Sequence, residues 1–201
     1  LMMLWRLFAT AASERVPFPG VAELYRGLHD GANGHERNPM LYVSRSPWSL
    51  YPTLEEFFQL HGIPTGPVLL LRDWGITLKH PLPRKAPEHK DTMIDTVLQV
   101  YPDLPVVLVG DSGQHDPEVY AGLVERHPRR IAAVYIRDLE QSAGRTNELA
   151  EIGEGLRRQG VDFVSGSDSS RRMPVLMAHP AIFTTKKVTS CLSSGLERES
   201  G

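Results

Sequence analysis

Cysteine, long apolar runs and an excess of charge of either sign are all scarce in this chain. Its 201 residues carry 22 lysines and arginines against 24 aspartates and glutamates, a formal net charge of −2. That balance gives no pointer to nucleic acid as a partner. The single cysteine, Cys191, excludes an intramolecular disulfide and suits a reducing compartment, so a cytoplasmic protein is expected. No apolar run approaches the roughly 20 residues of a membrane-spanning helix, so no transmembrane segment is expected. Leu1 to Phe8 is apolar but lacks a basic flank and a cleavage-like site, which argues against a signal peptide. The chain opens on Leu rather than Met, as a fragment would, or a protein starting at Met2 or Met3.

Several catalytic and phosphate-binding signatures are also missing. There is no G-x-S-x-G, no G-x-x-x-x-G-K-[ST] and no G-x-G-x-x-G. The eight histidines lack metal-binding spacing, with His80, His89 and His115 scattered among expected loops. Internal repeats and an interdomain linker are absent too.

What the chain does contain is an alternation of apolar runs and helical patterns. Short strands are predicted over Met40 to Val43, ending at Ser44, and over Val68 to Leu71, Val106 to Val109, Ile131 to Ile136 and Val161 to Val164. Between them lie helical stretches over Val21 to Leu28, from Pro47 to a C-cap at Gly62, and over Glu88 to Val100, Pro117 to Arg126 and Thr146 to Gln159. A further short helix is predicted over Met2 to Phe8 and a turn over Pro17 to Gly20. Strands alternating with helices imply an α/β fold with a parallel sheet flanked by helices. Trp48, Tyr51 and Trp74 read as packing residues rather than lipid contacts.

Val106-Val-Leu-Val-Gly-Asp-Ser-Gly-Gln-His-Asp-Pro-Glu-Val-Tyr120 is the most informative stretch. Its apolar run reads as a fully buried, central strand, and parallel sheets bind ligands beyond the carboxyl ends of their strands. Asp111 and Asp116 would lie on one loop there, a pair suited to a hard, oxygen-preferring cation such as Mg²⁺. Ser44 and Lys90 could meet them in one crevice and orient phosphoryl oxygens. Plainer roles compete. Asp116 before Pro117 reads equally well as a helix N-cap, Ser44 as a turn residue, Lys90 as a solvated helix residue and Arg72–Asp73 as a local ion pair. His115 reads as an exposed loop histidine, with acid/base work as its other role.

Several long segments in register resemble one family. They are Val16-Pro-Phe-Pro-Gly20, Tyr42-Val-Ser-Arg-Ser-Pro-Trp-Ser-Leu-Tyr51, Gly66-Pro-Val-Leu-Leu-Leu-Arg-Asp-Trp-Gly75, His89-Lys90, Gly110 to Tyr120 and Val134-Tyr-Ile-Arg-Asp138. Together they resemble the actin-patch-associated phosphatidate phosphatases, a branch of the haloacid dehalogenase superfamily, from about Met3 to Val164. The resemblance implies a Rossmann-like, haloacid dehalogenase-type sheet. It also implies Mg²⁺-dependent hydrolysis of phosphatidate to diacylglycerol and phosphate through a phosphoaspartyl intermediate. It assigns Ser44 to binding the phosphoryl group, with Arg45 beside it in substrate binding. Lys90 would steady the intermediate, and Asp111 and Asp116 would position Mg²⁺.

The family's D-x-D-x-T motif, whose first Asp is the nucleophile, occurs nowhere in the 201 residues. Covalent catalysis by a carboxylate requires that carboxylate. The expectation is therefore a domain over residues 1–170 that lacks its first catalytic strand and is inactive as it stands. Residues 171–201 read as a divergent, weakly ordered tail, interrupted by Pro174 and Pro180, and a reading-frame change near Ser170 would explain it. Two alternatives stay open: a non-catalytic phospholipid- or protein-binding module of the same fold with peripheral membrane contact, and a phosphatase for another phosphate monoester such as a sugar or nucleotide.

Overall fold

The computed structural model describes residues 17–71, 87–113, 115–139 and 142–166. The elements run α1 (Val21–Asp30), β1 (Tyr42–Pro47), a single 3-10 turn (Trp48–Leu50), α2 (Tyr51–Leu60), β2 (Val68–Leu71), α3 (Pro87–Val100), β3 (Val106–Asp111), α4 (Asp116–Arg126), β4 (Ile131–Arg137), α5 (Ala143–Arg158) and β5 (Asp162–Gly166). The fold is α/β, with parallel sheets flanked by helices, as the alternation of patterns implies. Among the described residues two sheets are formed rather than one: β1 pairs with β2, and β3, β4 and β5 pair in that order. The predicted helix over Met2 to Phe8, the Arg72–Asp73 strand end, Trp74 and the tail from 171 lie outside the described residues.

Both faces of the three-stranded sheet are covered. Ile94 and Leu98 from α3, Leu123 and Val124 from α4, and Leu149 and Leu156 from α5 pack on Leu108, Val134, Ile136 and Phe163. Full burial of each such side chain contributes about 1.5–3 kcal/mol. On the opposite face, Leu24 and Leu28 of α1 close over Ala133, Tyr135 and Val164. The two-stranded sheet has its own cluster, in which Ala22, Phe58 and Ile63 pack with Tyr42 and Val68.

Four expectations about elements need correction. The first strand does not end at Ser44 but continues through the polar residues Ser44-Arg45-Ser46 to Pro47, because pairing with β2 extends to a Pro47–Leu71 match across an irregular register. Pro47 is consequently the last strand residue rather than a helix start, and α2 begins after the 3-10 turn with Pro52 in its first positions. Gly62 does close this helix: it takes φ 60°, and Ile63 N donates back to Phe58 O at 2.9 Å. The predicted central, fully buried strand is β3, yet among the described residues it forms the edge of its sheet, and of its residues only Leu108 is buried. The buried central strand is β4. Finally, α5 starts at Ala143 rather than Thr146, because Ser142 caps it by accepting from Arg145 N.

Candidate functional site

The end of β3 is where the charged residues gather. Val106 N donates to Arg130 O and Ser112 N to Arg137 O, so the even-numbered backbone groups of β3 face β4. The odd-numbered ones face the other way, and side chains supply partners there. Tyr120 Oη donates to Val109 O at 2.9 Å, and Asp111 N donates to Asp116 Oδ2 at 3.3 Å. Burial, with a further push from Asp116, raises the Tyr120 phenol well above its ordinary value, so it remains a donor.

Asp116 is 4% exposed, and its other oxygen, Oδ1, lies 2.5 Å from Lys90 Nζ. The carboxylate therefore turns back onto the strand end instead of capping its own helix. His115 occupies the N-cap position and makes no side-chain capping bond. The alternative roles of Asp116 as N-cap and Lys90 as a solvated helix residue both fail for this reason: the two side chains find each other across 26 positions, and both are largely shielded from water. Gly110 makes room for this, since a Cβ there would sit 2.6 Å from Asp116 Oδ2.

Asp111 occupies the next position along. Gly113 N donates to its Oδ1 at 2.9 Å, and Arg137 Nη2 stands 4.0 Å from its Oδ2. The Arg137 guanidinium lies over the Phe18 ring, 3.3 Å from its centroid. Tyr25 is close to the same charges. Burial is the main cause of its raised phenol pKa; Arg137 works against the shift, while Asp111, Tyr135 and Asp116 add to it. The structure thus brings Lys90, Asp116, Asp111 and Arg137 into one chain of contacts, with the two carboxylates in the middle and a cation at each end.

Ser44 is not part of that chain. It lies within β1, where its hydroxyl donates to Ser46 Oγ at 3.1 Å and accepts from Ser46 N at 3.1 Å. Arg45 follows it in the same strand, and its side chain lies outside the described residues. Trp48 and Tyr51 stack with centroids 5.2 Å apart, but Trp48 is 56% exposed, so the reading of Trp48 as a packing residue is corrected. In the 3-10 turn directly after β1 it is Leu50, 6% exposed, that points inward, and Trp48 stays at the surface.

Two contributors around the acidic loop, Ser112 and Arg145, went unread in the sequence, whereas Arg137 shows there as a polar residue at the end of the fourth strand. Ser112, 1% exposed, accepts from Leu139 N at 2.9 Å and donates to Asp138 Oδ1 at 3.3 Å. Arg137 and Arg145 both reach the loop from later elements. A residue between two expected site acids is a signal for Ser112, but nothing local marks Arg145.

As a metal site the arrangement is spare. Among the described residues no group of three or more His, Cys, Asp or Glu could hold a metal ion. Both oxygens of Asp116 are engaged, whereas among the described residues Asp111 Oδ2 has only the distant Arg137. Mg²⁺ commonly takes one or two carboxylates and keeps several waters, so Asp111 backed by Asp116 fits a hydrated ion of that kind. No helix among the described residues is long and apolar enough to cross a membrane.

Comparison with known proteins agrees with the motif pattern. The family model described as phosphatidate phosphatase APP1, catalytic domain, matches residues 1–138. Phosphatidate phosphatase APP1 of Saccharomyces cerevisiae is 33% identical over 118 residues, which cover 59% of this chain and 19% of that protein. An uncharacterized protein of Schizosaccharomyces pombe is 30% identical over 119 residues, covering 55% of this chain and 20% of that protein. The chain thus spans about a fifth of the length of these curated relatives. No solved structure matches it.

Proposed function

The chain belongs to the family of the phosphatidate phosphatase APP1 catalytic domain, and from that premise we propose that the end of β3 is the cation- and phosphate-handling part of a phosphatidate phosphatase site. The observation that carries this reading is the contact chain from Lys90 through Asp116 to Asp111. Asp111 offers an oxygen to a hydrated Mg²⁺. Asp116 holds the Asp111 amide and the Lys90 ammonium in fixed relation, and Lys90 supplies positive charge for phosphoryl oxygens. When bound, Mg²⁺ would neutralise charge on the phosphoryl group. Ser44 and Arg45 are assigned to the substrate phosphate by family likeness. The Ser44 hydroxyl, now held by Ser46, would have to turn to reach it.

The mechanism proposed is in-line attack by an aspartate, giving a phosphoaspartyl intermediate that water then hydrolyses, on a Rossmann-like core of the haloacid dehalogenase type. The 201 residues contain no D-x-D-x-T to supply that aspartate. Among the described residues β3 is an edge strand, which supports a site that needs a further strand. Cytoplasmic action on phosphatidate at a membrane surface completes the reading.

The test is phosphate release from phosphatidate vesicles with Mg²⁺, by this chain and by a version extended with a D-x-D-x-T strand. Release from the extended protein alone is expected, with loss on Lys90→Ala. Equal turnover by the short chain sinks the proposal.

A second reading, a phospholipid-binding module without catalysis, is favoured by the exposed Trp48 ring stacked on Tyr51, since such rings suit a membrane interface. It predicts sedimentation with phosphatidate vesicles and no Mg²⁺-dependent phosphate release from either version.

A further inference from the structure

The loop carrying Asp111 and Asp116 is gripped by a residue from another element. Arg145 lies in the first turn of α5, beyond residue 138 where the family match ends. Its Nε donates to Ser112 O at 3.2 Å. Both of its terminal nitrogens donate to the Glu118 carboxylate, Nη2 to Oε2 at 3.2 Å, and Nη1 also reaches Glu148 Oε2 at 3.0 Å. Ser112 directly follows Asp111, and Glu118 stands two residues past Asp116. One guanidinium therefore holds the loop at two points, one just after Asp111 and one just after Asp116. We propose that Arg145 is a positioning residue that fixes the separation and orientation of the Asp111 and Asp116 carboxylates.

The surrounding bonds make that hold consequential. Ser112 is itself locked to β4, through its amide to Arg137 O and its hydroxyl to Asp138 and Leu139. Gly113 N orients Asp111 Oδ1, and Asp111 N orients Asp116 Oδ2. The Ser112 carbonyl shares its peptide unit with Gly113 N, so a shift there moves the donor that orients Asp111 Oδ1, while the Glu118 end of the grip bears on the first turn of α4 that carries Asp116. The Arg145 side chain is only 15% exposed. Its planar fork fixes direction as well as charge, which a lysine ammonium does not. An isolated surface ion pair to Glu118 would need neither the burial nor the bond to a loop carbonyl.

The metal part of the test rests on the proposed cation site; the exchange part does not. The 201-residue chain is compared with Arg145→Lys, and with Arg126→Lys as an arginine that pairs with Asp91 away from the loop. Amide hydrogen exchange is read at Gly113 and Asp111 by NMR, and Mn²⁺ affinity by calorimetry. Lysine keeps a charge for Glu118 but cannot also hold Ser112 O. Expected for Arg145→Lys is faster exchange at Gly113 and Asp111, with β4 protection and the thermal midpoint retained, and Mn²⁺ affinity lowered roughly tenfold. Arg126→Lys is expected to leave both readouts unchanged. Unchanged Gly113 exchange in Arg145→Lys overturns the proposal, as does protection lost evenly across the fold. Faster Gly113 exchange in a chain that binds no Mn²⁺ supports the positioning role and defeats the cation site alone.

Discussion

Lys90 and Asp116 form a largely buried ion pair: Nζ lies 2.5 Å from Oδ1, with the side chains 14% and 6% exposed. The pair joins α3 to the start of α4 across the end of β3, and the second oxygen of Asp116 is spent on the Asp111 amide. A buried pair of this kind gives little net stability, but breaking it from one side is costly because a charge is left without its partner.

Removing one partner should therefore cost more than removing both charges. Lys90→Met is expected to lower unfolding free energy by about 3 kcal/mol. Lys90→Met combined with Asp116→Asn should recover most of that loss, since the neutral amide oxygen still accepts from Asp111 N. Urea midpoints of the two single variants and the double variant close the cycle. Additive losses would show that the two side chains do not pair.

Gly110→Ala places a Cβ 2.6 Å from Asp116 Oδ2 and 2.8 Å from its Cβ. Asp116 must move, and overpacking of this sort costs about 1–3 kcal/mol. Urea denaturation is expected to show that loss, together with faster exchange at the Asp111 amide. Wild-type stability in Gly110→Ala would mean that the carboxylate does not fold over the strand end.

The Arg145–Glu118 contact gives a pH dependence of defined sign. The hydrogen bond from Arg145 is the main reason the Glu118 carboxyl lies below its ordinary value of 4.5. A depressed carboxyl pKa stabilises the fold above the unfolded value, and the contribution fades as pH falls through the folded one. The stability difference between wild type and Glu118→Gln should be constant from neutral pH down to about 4.5 and shrink below it. The effect is small because the Glu118 side chain is 41% exposed. Unfolding free energies of both proteins across the acid range check this.

Trp48 supports a prediction about surfaces rather than stability. Trp48→Ala removes an exposed ring stacked on Tyr51 and should cost about 1 kcal/mol or less. If this aromatic pair meets the lipid surface, the same change reduces co-sedimentation with phosphatidate vesicles. Undiminished sedimentation would remove Trp48 from the membrane contact.

The sequence shows the alternation of parallel strands and helices because Val68 to Leu71, Val106 to Val109 and Ile131 to Ile136 are apolar runs of strand length between helical patterns. It hides the extension of β1, since Ser44-Arg45-Ser46-Pro47 has no strand-like alternation and is held by pairing with β2. The start of α5 is hidden for a related reason: Ala143-Gly144-Arg145 carries no apolar stripe, and the helix begins there because Ser142 caps it. At the site, an acid pair five positions apart after an apolar run is visible by spacing alone. The turn of Asp116 toward Lys90 is not, because on local grounds an acid before Pro117 reads as a helix cap, and the partner lies 26 positions away. Arg145 was missed because its bonds to Ser112 and Glu118 span 33 and 27 positions.

The most direct check of the central claim is a Mg²⁺ titration of the ¹⁵N-labelled chain, followed at the amides of Asp111 and Gly113. Saturable shifts at both, abolished by Asp111→Asn, are the result expected of a cation held at the end of β3. Shifts that do not saturate, or that survive Asp111→Asn unchanged, would contradict it.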